Sequence, residues 1–195
     1  MRRAPPWRDM ARTEDQRRSP LSDLLASRRE PLAERWTELI FGTYPEETQK
    51  VWASNRDRFT NPVGEAVRQA SREVLDRLLA WDDAEALCRA LERLVKIRAV
   101  QDFAPSVALS FVFLLKKALR EAFAGELDAE GRLAELLAFE TRVDNMALLA
   151  FDVYFESRRQ VFEMRVKEVK RAHANIVRLA NKTHGDSSAE EAGKA

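Results

Sequence analysis

The sequence predicts an all-α protein, and three observations support this fold class. Apolar residues recur every three or four positions along most of the 195 residues, and no alternating apolar–polar run of useful length indicates a strand. Only 6 Gly and 7 Pro are present, and several stand where a periodic segment begins or ends. Hydrophobic residues make up 45% and charged residues 33%, which excludes a collagen-like or low-complexity chain. We therefore expect one helical domain with a conventional core.

The first two helices are predicted over 21–41 and directly after Pro45. Pro31 should kink or split the first, because its ring disturbs the preceding turn of a helix interior. Gly42 ends that helix. Pro45 then begins a shorter helix, since its fixed φ suits a first turn and the acids after it favour the positive end of the helix dipole.

The next two helices have sharper start signals. Asn61 and Pro62 predict a helix start, with Asn as the N-cap and Pro at the first helical position. The apolar spacing continues to about residue 79. A turn at 81–83 then leads into a helix over about 84–100.

Two further helices complete the chain. One is predicted over about 105–124 and ended by Gly125; it is apolar nearly all round between Val107 and Leu115, so we expect it to be enclosed on all sides. The last is a long helix, or two nearly continuous ones, over about 128–182. Its final part contains a heptad-like spacing of 4, 3, 4, 3 and 4, typical of a helix-pairing seam. The seam consists of Phe162, Val166, Val169, His173, Ile176 and Ala180. We expect a homodimer through this seam; the alternative is that the helix packs on its own domain.

Charge divides the chain into four segments. We expect a basic disordered arm at 1–20, an acidic body at 21–157, a basic coiled-coil-like C-terminal segment at 158–184, and a disordered tail at 185–195. The C-terminal segment holds eight Lys and Arg against two Glu. Its candidate partner-binding basic face consists of Arg158, Arg165, Lys167, Lys170, Arg171 and Arg178. A solvated face or an acidic protein partner is the first interpretation, and nucleic acid is the alternative.

Targeting signals and reactive groups are scarce. One Cys, no secretory leader and no apolar run of about 20 residues predict a cytoplasmic protein that does not insert into a membrane. Cys88 lies on an apolar face, as expected of a buried structural thiol. Both His residues fall in the C-terminal segment, and no metal-ligand spacing or Gly-rich phosphate loop occurs. We therefore expect no enzyme, no metal and no cofactor.

Three stretches are more specific than helix formation requires. They are Arg35-Trp36 with Thr43-Tyr44-Pro45, the stretch from Arg58 to Gly64 (RFTNPVG), and the stretch from Ile97 to Ser106 (IRAVQDFAPS) running into FVFLLK at 111–116. They resemble the N-terminal domain of the stressosome co-antagonist RsbRD, a relative of the RsbR sensors of bacterial signal transduction. The similarity covers about residues 21–157.

This resemblance implies a globin-like helical bundle without haem, which acts as a sensor domain and dimerises partly through a long last helix. Stressosome members continue into a phosphorylatable STAS domain that handles the RsbT kinase. Because the sequence ends at Ala195, we expect that module to be absent. Without it, neither direct RsbT antagonism nor phosphorylation-dependent signalling follows from the resemblance. Relatives of this kind also accompany sulfur-metabolism redox proteins, so an adaptor of such a complex is an alternative.

The absence of haem agrees with the residues themselves. A globin needs a proximal ligand, normally His, and the body has none, which leaves only Tyr44 and Tyr154. If a ligand cavity persists where haem sits in globins, the resemblance implies that aromatic residues line it. The candidate apolar pocket consists of Trp36, Phe103, Phe111, Phe151 and Phe155. We expect a non-enzymatic sensory module that signals through protein contacts; a haem or flavin protein is the remaining alternative.

Overall fold

A computed structural model describes the backbone of residues 20–192 except positions 56, 58 and 102, and most side chains from 21 to 178. Over these residues the chain is all-α, as predicted, and the globin-like arrangement stays a prediction. Eight helices are present in the described part: α1 (Pro20–Ser27), α2 (Arg29–Phe41), α3 (Glu46–Ser54), α4 (Pro62–Ala80), α5 (Ala84–Ala99), α6 (Pro105–Leu109), α7 (Phe111–Ala129) and α8 (Leu133–Ala192).

The chain divides into two compact units between Ser157 and Arg158. The first contains α1 to α7 and the beginning of α8, and the second contains the rest of α8. The expected arm at 1–20 lies outside the described residues, except that the Pro20 backbone begins α1. A disordered tail was expected at 185–195, but the backbone of α8 is helical through Gly185 to Ala192. The run of Ala and Glu at 189–192 explains the difference, because both are strong helix formers.

The predicted start of α4 is confirmed at the level of single atoms. Asn61 Oδ1 accepts a hydrogen bond from the Gly64 backbone N–H at 3.0 Å, and Pro62 is the first helical residue. A Cβ atom at position 64 would lie 2.5 Å from the Asn61 side-chain oxygen and nitrogen. This explains why glycine stands three residues after the cap. α5 starts in the same way, since Asp83 accepts from the backbone N–H of Ala86 at 2.9 Å.

Two predicted helices are divided elsewhere than the sequence indicates. The first splits at Arg28, and Pro31 lies in the first turn of α2, where a missing N–H costs no helical hydrogen bond. The helix predicted over 105–124 is broken at Ser110 into α6 and α7, and α7 continues through Gly125. The chain instead turns at Gly131, whose φ of 66° is the left-handed conformation that favours glycine.

The core of the first unit is formed where α2, α4, α5, α7 and α8 turn their apolar faces inward. α4 packs against α5, and α2 packs against both α4 and α7. The expectation that Val107–Leu115 is enclosed on all sides is wrong for Val107 and Phe113, which are exposed. Cys88, expected to be buried, is half-buried and packs against the core. Central core residues include Trp36, Ile40, Val74, Leu78, Leu91, Leu94, Phe111, Leu115, Val143 and Met146.

Candidate functional site

The predicted seam presents large apolar side chains to solvent. Phe162, Val169 and Ile176 are 65–69% exposed, and they are seven residues apart, so they lie along one line of the helix. Val166 is half-buried and His173 is exposed. The side chain of Ala180 lies outside the described residues.

The candidate basic face is not one surface. At 100° per residue, Lys167, Arg171 and Arg178 fall on the side of α8 opposite the seam, whereas Lys170 lies beside it. Arg158 and Arg165 flank the seam instead. The described side chains of the second unit therefore form an apolar seam and an opposed cationic face of Lys167, Arg171 and Arg178.

The five residues of the candidate apolar pocket do not form one pocket. Trp36 and Phe111 are fully buried, their rings lie 6.3 Å apart, and Trp36 Nε1 donates to the Phe111 carbonyl at 2.7 Å. Phe103 packs edge-on against Tyr44 with ring centroids 5.2 Å apart. Phe151 and Phe155 are exposed, so they do not line an enclosed pocket with Trp36 and Phe111. They lie on the outward side of α8, because neighbouring positions such as Ala150 and Tyr154 already face the core.

The first unit carries an exposed apolar patch in place of the candidate pocket. Ion pairs set α7 and α8 antiparallel, with Lys116 bonded to Asp144 at 3.0 Å and Arg120 to Glu140 at 2.6 Å. This register brings Phe113 of α7 opposite the turn of α8 that carries Leu148. The body patch consists of Phe113, Leu148, Phe151 and Phe155, each 55–64% exposed.

Sequence reasoning missed Leu148 and misassigned Phe155, although a signal was present. Leu148 and Phe155 precede Phe162 in the sequence by two heptads and one heptad. The same seven-residue spacing therefore occurs in both units.

A buried arginine joins two of the motifs that carry the family resemblance. The Arg98 side chain is fully buried and donates from Nε to the Ala108 carbonyl at 2.8 Å. Its Nη2 donates to the Val107 carbonyl at 2.7 Å and to Thr43 Oγ1 at 3.0 Å. Carbonyls in the last turn of a helix lack partners within it, so Arg98 of α5 caps the end of α6. We call this arrangement the Arg98 junction.

Two aromatic rings complete the Arg98 junction. The guanidinium carbon lies 5.1 Å from the ring centroids of both Tyr44 and Phe103. Burial lowers the pKa of Arg98 and raises the pKa of the Tyr44 hydroxyl, the latter against a smaller opposing effect of the Arg98 charge. Arg98 Nη1, Tyr44 Oη and Gln101 Oε1 are buried without a hydrogen-bond partner among the described atoms. The arrangement can hold the α6–α7 break in one geometry.

Groups for chemistry or membrane insertion were also sought in the part of the chain that the structure describes. No cluster of three or more His, Cys, Asp or Glu side chains there could hold a metal ion. No helix in the described ranges is both long and apolar enough to cross a bilayer.

The described residues define an all-α domain with a buried arginine junction and exposed apolar surfaces. The family model of the RsbT co-antagonist protein rsbRD N-terminal domain matches residues 30–169, and the chain belongs to this family. The match extends past residue 157, where the motif resemblance ended, into the C-terminal segment. Comparisons with curated proteins and with solved structures give no match. The family assigns the chain to the stressosome-related regulatory domains.

Proposed function

We propose that this chain is a cytoplasmic, non-enzymatic sensory module that signals as a homodimer through its C-terminal segment. The observation that carries the proposal is the exposed line of Phe162, Val169 and Ile176. Soluble chains seldom leave regularly spaced large apolar side chains in water unless another surface covers them. The heptad-like spacing fits an identical helix as the cover.

The seam alone is marginal for pairing. Burying a Val, Ile or Phe side chain fully contributes about 1.5–3 kcal/mol, and these three are about two-thirds exposed. Three residues from each of two copies therefore contribute roughly 6–12 kcal/mol before costs. Association itself costs an estimated 4–15 kcal/mol. A stable dimer therefore needs a second contact.

The body patch supplies that contact in our proposal. Phe113, Leu148, Phe151 and Phe155 offer a further four large apolar side chains per copy. Their burial against a second copy would roughly double the apolar contribution of the seam. Self-association in this proposal uses one surface from each unit.

Size and mass measurements across a dilution series test the dimer. We expect the parent protein to be dimeric, and Val169→Asp or Phe155→Asp to shift it to monomer with unchanged helicity. Met164→Asp is the matched control, because Met164 is an exposed apolar residue of the same segment on the side away from the seam. A monomeric parent, or equal dissociation by Met164→Asp, contradicts the proposal.

The cationic face opposite the seam supports a partner-binding role and leaves nucleic acid as a second candidate. Lys167, Arg171 and Arg178 are exposed on this face. Pairing through the seam leaves them free to meet an acidic protein surface. Titration with duplex DNA at two salt concentrations separates the candidates, since real phosphate contacts weaken steeply with salt. We expect weak DNA binding with no preference for the parent over a Lys167→Glu, Arg171→Glu variant. Tight binding that this variant abolishes would favour nucleic acid.

A further inference from the structure

A cleft in the first unit lies between α2, α3 and α4 and has a volume of about 170 Å³. Its two long walls carry opposite charge. Glu34 and Glu38 stand four residues apart on α2, and Arg68 and Arg72 stand four residues apart on α4. Side chains at this spacing share one face of a helix, so an acidic row faces a basic row.

The floor of the cleft is apolar and holds one guanidinium in place. Arg68 is only 9% exposed, and its guanidinium carbon lies 5.1 Å from the ring centroid of Phe41. It donates to the carbonyls of Trp52 and Asn55 at the end of α3. The charge of Arg68 is therefore fixed before any ligand arrives.

The outer charges of the cleft are in exposed ion pairs. Arg72 Nε lies 3.2 Å from Glu30 of α2, and Glu38 lies 3.2 Å from Arg35 on its own helix. The Arg72 side chain is 37% exposed and that of Glu38 is 66% exposed. Exposed pairs contribute little to stability, so a ligand can replace them at low cost.

We propose that this cleft binds a small zwitterion of the α-amino-acid type. Its carboxylate pairs with the Arg68 and Arg72 wall, and its ammonium group pairs with the Glu34 and Glu38 wall. The size fits, because a protein cavity of about 150 Å³ accepts benzene, and alanine likewise has six non-hydrogen atoms. A ligand with only one charge leaves the opposite wall unmatched, which is the basis of selectivity. The binding does not depend on self-association.

Calorimetric titration of the full chain with L-alanine tests the proposal. We expect saturable binding of L-alanine and at least tenfold weaker binding of acetate and of ethylammonium. Glu38→Gln and Arg72→Gln should each weaken L-alanine binding by about three- to fivefold, the upper range for an ion pair at an exposed side chain. Arg68 is left intact because it also supports the end of α3.

Arg93→Gln is the matched control, since it removes an exposed arginine whose ion pair to Glu73 at 2.6 Å lies outside the cleft. It should leave the affinity within about twofold, consistent with the small effect of exposed pairs. No saturable L-alanine binding, acetate binding equal to L-alanine, or equal loss in Arg93→Gln overturns the proposal. The mass of each variant in solution is measured in parallel, so that failure of ligand binding and failure of dimerisation are told apart.

Discussion

Replacing Arg98 by Met tests whether the Arg98 junction stabilises the fold. Met fills a similar apolar volume but cannot donate the three hydrogen bonds to Ala108, Val107 and Thr43. The Val107 carbonyl keeps its bond from the Ser110 hydroxyl at 2.8 Å. Thr43 keeps its own bond to the Ile40 carbonyl at 2.7 Å. Of the three acceptors of Arg98, the Ala108 carbonyl therefore loses the most hydrogen bonding.

The size of the effect follows from opposing contributions. Three hydrogen bonds from a charged donor contribute about 1.5–3 kcal/mol each, and two desolvated cation–π contacts add about 1–2 kcal/mol each. The Arg98 charge is buried and has no ion pair among the described residues, so its burial is costly. Replacement by Met removes that cost and thereby restores several kcal/mol of stability. We expect Arg98→Met to lower the free energy of unfolding by about 2–4 kcal/mol. Arg98→Lys should cost at least as much, because it keeps the buried charge but replaces the planar fork that fits the Ala108, Val107 and Thr43 acceptors with a single ammonium group.

Urea denaturation followed by circular dichroism measures the free energy of unfolding of both variants. All samples are kept at one protein concentration, because dimerisation would itself shift the midpoint of the unfolding transition. Arg89→Met is the matched control on the same helix: Arg89 is exposed, its ion pair to Asp83 is long at 3.8 Å, and the change should stay within about 0.5 kcal/mol. An Arg98→Met variant as stable as the parent would show that charge burial outweighs the hydrogen bonds. A near-native Arg98→Lys variant would show that charge, and not the forked geometry, holds the junction.

Two further predictions concern single contacts in the first unit. Gly64→Ala should lower stability by about 1 kcal/mol, because the added Cβ displaces the capping Asn61 side chain. Gly125→Ala should raise stability by about 0.5–1 kcal/mol, since nothing lies within 4 Å of a Cβ added there. Thermal unfolding of both variants checks the opposite signs. Hydrogen bonds from Arg120 at 2.6 Å lower the pKa of the buried Glu140 carboxyl, against an opposing effect of burial. The stabilisation from this pair is therefore complete above the ordinary pKa of Glu and is lost as the pH falls through the depressed value. Glu140→Gln should make the loss of unfolding free energy between about pH 6 and pH 3 shallower, and an unchanged slope would contradict this assignment.

The helical elements and several of their ends follow from local rules. Asn61 with Pro62 predicted the start of α4, and the acidic turn at 81–83 predicted the start of α5, because capping depends on groups only two or three residues apart. Helix breaks were less predictable. The split at Arg28 and the turn at Ser110 fall at residues with no strong breaking tendency. Long-range contacts lie at both places: Arg28 pairs with Glu126 of α7 at 2.8 Å, and Arg98 binds the Val107 and Ala108 carbonyls just before Ser110.

The functional surfaces show where local rules stop. Periodicity showed that Phe151 and Phe155 share a side of α8 with other apolar residues, but not whether that side meets the core or water. The structure leaves both outside, because the core is already filled by Val143, Met146 and Ala150.

Local sequence is sufficient for the existence of the helices and for the family motifs, since periodicity and capping act over a few residues. The burial of Arg98 depends on the three-dimensional packing instead. Its acceptors include Thr43, 55 positions earlier in the chain, and the Val107 and Ala108 carbonyls at the end of α6. A charged side chain can be buried only where other atoms form hydrogen bonds with it. For Arg98 those atoms lie far apart in the sequence, so no short stretch of sequence predicts its burial.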